Sequence, residues 1–104
     1  MQVHLTDFYK LHNENPREND FPNMNALKNI KIGDYIKVCN GKEKFWTNVM
    51  HVEICEKDLM DSKIIAVVNE RLFETDDYDI DAMISYQFYN IYGIGSNIDL
   101  FIKN

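Results

Sequence analysis

The sequence predicts an α+β domain that is mainly β: a small antiparallel SH3-like barrel, or a strongly bent sheet, with a short N-terminal helix. Three observations carry that expectation. Apolar residues recur at helical spacing before a stop at Asn15-Pro16. From Asp34 the apolar period changes to two, on both sides of an Asn40-Gly41 step. Further short apolar runs then follow, separated by polar or acidic turn segments. A chain of 104 residues fits one domain, with residues 1–30 as helix and loop and residues 31–104 as the sheet.

The helix is expected near residues 5–14. Thr6 offers a candidate N-cap, Leu5, Phe8, Tyr9 and His12 repeat at helical spacing, and the residue before Pro16 is pushed out of the α region. Phe21 and Pro22 then pin an irregular loop, and "NALKNI" reads as one helical turn before the first strand. In that strand Ile36 and Val38 point one way and Tyr35, Lys37 and Cys39 the other. Asn40-Gly41 suits positive φ, while Lys42, Glu43 and Lys44 imply a loop longer than two residues.

The second strand is expected from about Phe45 to Glu56. Phe45, Thr47 and Val49 point inward in its first half, whereas Val52 and Ile54 carry the apolar parity afterwards. A β-bulge near Met50 and His51 would produce that change. "KIIAVVNERLF" reads as a third strand whose nearly continuous apolar run implies burial on both faces or cover from the N-terminal helix. An acidic loop, "ETDDYDID", precedes a fourth strand that starts at Met83 or Ile84 and alternates through Tyr86 and Phe88. Gly93 and Gly95 break that pattern before a final strand, "IDLFIK".

The bulk composition bounds function. Net charge of −6 disfavours nucleic-acid phosphates and anionic membrane surfaces, which both need clustered Lys and Arg. No apolar run approaches the ~20 residues of a membrane span, and the first residues lack a secretory pattern, so a cytoplasmic protein is expected. Across an Asn40-Gly41 hairpin Cys39 lies beside the turn and Cys55 near the far end, beyond the ~7 Å reach of a disulfide, so both are expected as free thiols. The excess of Asn, Ile and Lys over Ala and Gly is the bias of an AT-rich genome.

From about Asp20 onward the chain resembles the DUF2314 family, small proteins of unknown function. The residues that carry the resemblance are Phe21-Pro22, "LKNIKIGDYIKV" at 27–38, "EKFWTNV" at 43–49, "IIAVVNERLF" at 64–73 and "ISYQFYNIYGI" at 84–94. Gly33, Asp34, Lys37, Trp46, Asn69, Asn90 and Ile91 match the family pattern, whereas Asp81-Ala82 replaces a second Gly-Asp and "CEKDLMDS" is a longer loop. The resemblance implies a compact β-rich domain and no particular activity.

No constellation for catalysis stands out. His4, His12 and His51 are scattered without metal-ligand spacing, and the acidic loop lacks both the turn glycine and the terminal Glu of a calcium loop. No metal or cofactor is expected. Ser62, Ser85 and Ser96 have no flanking signature, "YGIGSN" lacks the third glycine and the lysine of a phosphate cradle, and adjacent Asp76 and Asp77 would face opposite sides of a strand. Cys39 beside Lys37 and Lys42 is the one candidate nucleophile.

The aromatics remain. Tyr35, Trp46, Tyr86, Tyr89 and Tyr92 are candidates for the outer face of the sheet, where Trp46 needs either cover from the N-terminal segment or a partner. The expected function is therefore a non-catalytic protein-binding module with Trp46, Tyr35 and Lys37 on its contact face. The alternative is a small inhibitor or immunity-type protein whose acidic residues Glu74, Asp76, Asp77, Asp79 and Asp81 mask a basic active site.

Overall fold

The structure is a computed structural model and describes residues 4–95. Its elements in chain order are helices α1 (Phe8–Glu14) and α2 (Met24–Lys28), strands β1 (Tyr35–Cys39) and β2 (Lys44–Glu53), a 3-10 turn at Leu59–Asp61, strands β3 (Lys63–Val68) and β4 (Met83–Gln87), a second 3-10 turn at Phe88–Asn90, and strand β5 (Gly93–Gly95). The strands form one antiparallel sheet in the order β4-β3-β2-β1-β5, which is mainly β and not closed.

The two edge strands, β4 and β5, are neighbours in sequence, and this bends the sheet. Five flat strands would set the outer pair about 19 Å apart. The linker holds a 3-10 turn, which rises only ~2 Å per residue and cannot reach that far. The sheet therefore curls, helped by a β-bulge in β2 between Val49 and His51, where the sequence places it.

Local chemistry fixes each boundary. Asp7, not Thr6, caps α1: its carboxylate accepts from the Lys10 N–H at 2.9 Å. Thr6 is drawn elsewhere, its N–H donating to the Cys39 carbonyl at 2.8 Å along the edge of β1. Asn23 caps α2 through the Ala26 N–H at 2.9 Å. Between β1 and β2 the Asn40 side-chain oxygen accepts from Lys42 and Glu43 N–H, and Gly41 adopts φ 94°, so the loop is longer than two residues as its sequence implies.

The inner face is the core. Ile36, Val38, Phe45, Val49, Ile64 and Val68 are all buried there, and Leu27, Met60, Leu72, Phe88 and Ile91 close over them. Inside this layer Thr47 donates to the Ile36 carbonyl at 2.9 Å and lies 2.6 Å from the Tyr86 hydroxyl. A hydroxyl has one proton, so Tyr86 is the donor to Thr47. Burial pushes the Tyr86 phenol up, and the Thr47 hydrogen bond offsets only part of that. Buried Asn90 completes the polar interior: it accepts from the Gln87 N–H and donates to the Leu5 and Thr6 carbonyls, tying the N-terminal segment to the second 3-10 turn.

Further expectations change in the strands. β3 ends at Val68 and alternates strictly, with Ile65 and Val67 half-buried on its other face; α1 packs on the second 3-10 turn rather than across β3. β2 ends at Glu53, leaving Ile54 exposed. Tyr86 belongs to the inner face, because its neighbours Ile64 and Ile84 set that parity. Gly93 and Gly95 make β5 rather than break the pattern, since they pair with Lys37 and Tyr35. The expected strand "IDLFIK" lies outside the described residues.

Candidate functional site: the outer face of the sheet

Trp46 and Thr47 are adjacent in β2 and so face opposite ways. The hydrogen bonds Asn40 N–H to Glu43 carbonyl and Val49 N–H to Asp34 carbonyl set the register of the β1–β2 ladder. Lys37–Trp46 and Tyr35–Asn48 fall between its bonded pairs, where facing side chains approach most closely. The Lys37 ammonium accordingly lies 5.2 Å from the centre of the Trp46 ring.

Both backbone groups of Trp46 point away from β1, toward the place where β3 has already left the sheet. Asn69 N–H donates to the Trp46 carbonyl at 2.9 Å, and the Glu70 carboxylate accepts the Trp46 N–H at 2.8 Å in place of a strand carbonyl. Across β1 the indole lies over Gly95, where an added Cβ would sit 3.4 Å from the ring. Gly95 is buried beneath it although it is on the outer face. The indole is half-buried, and among the described residues Lys37 and the glycine strand lie against it.

A second cation sits on a second ring in the next row. Lys44 shares the parity of Trp46, and its ammonium lies 4.2 Å from the centre of Tyr92, which also stacks on Phe8 at 5.0 Å. The outer face thus brings together the predicted residues Tyr35, Lys37 and Trp46 and adds Lys44, Tyr92, Gly93 and Gly95. Tyr89 packs against the core instead. Lys44 was legible from its parity with Trp46; the glycines gave no signal, because glycine reads first as a breaker.

The acidic loop is a separate feature, docked on the β1–β2 turn. The Glu43 carboxylate accepts from the N–H groups of Phe73, Glu74 and Thr75 at 2.9–3.1 Å and from the Thr75 hydroxyl at 3.3 Å. Its partial burial pushes the carboxyl up, but those donors outweigh it and hold the pKa below the ordinary Glu value. The Asn40 amide donates to Thr75 and Asp77 at 2.8 Å each, and Tyr78 packs on Phe45. Glu74, Asp76, Asp79 and Asp81 are left exposed, beside exposed Phe73 and Ile80. Contacts between positions 30 or more apart have no local sequence signal.

The remaining candidates stay apart. The His12 ring nitrogen Nδ1 donates to the Asn19 carbonyl at 2.7 Å, and His51 lies 3.5 Å from Glu53. Cys39 and Cys55 are free thiols, the Cys39 sulfur accepting from the Gly41 N–H at 3.4 Å. Among the described residues no three His, Cys, Asp or Glu side chains gather as a metal site would need, and no helix is long and apolar enough to cross a membrane. No family model matches the sequence, and no curated protein or solved structure matches it.

Proposed function

We propose that this chain is a non-catalytic protein-binding module, a curled SH3-like barrel whose outer face grips a partner through Trp46, Tyr35 and Lys37. The single observation that carries this reading is the position of Trp46: an indole held outward on a rigid strand, backed by glycine. Buried aromatic anchors dominate binding energies, and one that is already ordered loses little freedom on association. Lys37 and Lys44, each over a ring, favour a partner segment that combines apolar and acidic side chains. Trp46 is the only tryptophan, so its emission reports on this surface alone. A partner captured by the wild-type protein and titrated back should change that emission and should not be captured by Trp46→Ala. Equal capture by both would reject the reading.

A second reading has its own support. The Glu43 and Asn40 hydrogen bonds hold the acidic loop in one conformation, the preorganisation that an inhibitor of a basic active site requires. Joint replacement of Asp76, Asp77 and Asp79 by Asn should then remove inhibition together with its salt dependence. Inhibition that survives this replacement would exclude the loop.

A further inference from the structure

β4 is an outer strand of the sheet, and among the described residues no strand pairs with its far side. Phe88 N–H donates to the Ser62 carbonyl and Val68 N–H to the Ala82 carbonyl, at opposite ends of the β3–β4 ladder. Both obey the register Lys63↔Gln87 through Val67↔Met83, so Ile84 and Tyr86 form the hydrogen-bonded pairs with β3. The backbone groups of Met83, Ser85 and Gln87 therefore point out of the sheet. The Gln87 N–H is taken by the Asn90 side chain at 3.0 Å, and His4 and Leu5 lie against that end of the strand. Among the described residues, what remains open is one N–H and one carbonyl on each of Met83 and Ser85.

Edge strands are usually shielded by charge, proline or a bulge. The sequence of β4, Met-Ile-Ser-Tyr-Gln, has neither charge nor proline, and its ladder with β3 is unbroken. We infer that this edge binds a second copy of the chain, antiparallel about a two-fold axis at Ile84, with Met83 of each copy opposite Ser85 of the other. Four backbone hydrogen bonds form and use every open group. The small Ser85 side chain leaves room for the exposed Met83 side chain to cross the seam toward Ile65 of the other copy. Val67 and Ile65 flank the seam on the same face, so the row Val67–Met83–Ser85–Ile65 runs continuously through both copies. Exposed Asp81 sits at the turn before β4 and exposed Lys63 pairs with Gln87 at its far end, so an antiparallel seam brings the acidic end of one copy beside the basic end of the other. A seam this short makes a weak, concentration-dependent dimer. The Trp46 surface lies on other strands and stays free.

Sedimentation velocity over roughly two decades of protein concentration tests this. The wild-type chain should pass from monomer to dimer, and Trp46→Ala should do the same. Met83→Lys breaks the apolar row and Ser85→Pro removes one donor; each should raise the dissociation constant about tenfold or more. Both side chains are exposed and make no core contact, so the melting temperature should hold. In a background with Cys39 and Cys55 replaced by Ser, Met83→Cys mixed with Ser85→Cys should oxidise to a cross-linked heterodimer. A monomer at every concentration, a dimer indifferent to both substitutions, or the absence of that cross-link would overturn the inference.

Discussion

Trp46 and Thr47 are neighbours on one strand, yet they belong to regions with opposite logic. On the inner side Thr47 and Tyr86 satisfy each other in a buried layer, and among the described residues no buried side-chain N or O lacks a hydrogen-bond partner. On the outer side Lys37 and Trp46 meet at 5.2 Å with solvent still beside them. The inner pair holds three strands together. The outer pair holds little and stays available. The comparison teaches that burial on this sheet follows what packs on each face: turns and the Leu72 segment over the core inside, and, among the described residues, Lys37 and Gly95 against the indole outside.

Substitutions can break that contrast, beginning with the largest expected effect. Phe45→Ala opens a cavity between the sheet and Tyr78 and should cost about 3–5 kcal/mol by denaturant unfolding. Thr47→Val strands the buried Tyr86 hydroxyl and should cost about 1–3 kcal/mol; Tyr86→Phe should cost less, because Thr47 keeps its bond to Ile36. Lys37→Ala removes a half-exposed cation–π contact and should change stability by about 0.5–1 kcal/mol or less. An outer-face substitution that cost as much as Thr47→Val would erase the distinction between the faces.

The acidic loop sharpens it through pH. The folded Glu43 pKa is depressed, so its contribution is complete above the ordinary Glu value and is lost as pH falls through the lowered one. Amide NMR shifts of Phe73, Glu74 and Thr75 should move together on acidification, with a midpoint below the ordinary Glu range. Glu43→Gln should abolish that titration, while the Trp46 emission stays unchanged in both proteins.

Much of the fold was legible because period-two alternation is local. The strand β1, the bulge after Val49 and the outward Trp46 each follow from parity along a few residues. Errors arose where a distant partner decides. Asp7 rather than Thr6 caps α1 because the Thr6 backbone is claimed by Cys39, far along the chain. Local alternation leaves Tyr86 among the candidate surface rings, whereas its distant partners Thr47 and Ile64 fix it on the inner face. The site was half legible: Tyr35, Lys37 and Trp46 lie on one hairpin, whereas Tyr92 and the glycines arrive through β5, which joins β1 only when the sheet curls.

The emission of Trp46 tests most directly whether the outer face is the working surface. Titrating a captured partner into the wild-type protein and into the Asp76, Asp77 and Asp79 to Asn variant should shift that emission with the same midpoint in both. An unshifted indole with the partner demonstrably bound would place the contact elsewhere and contradict the central claim.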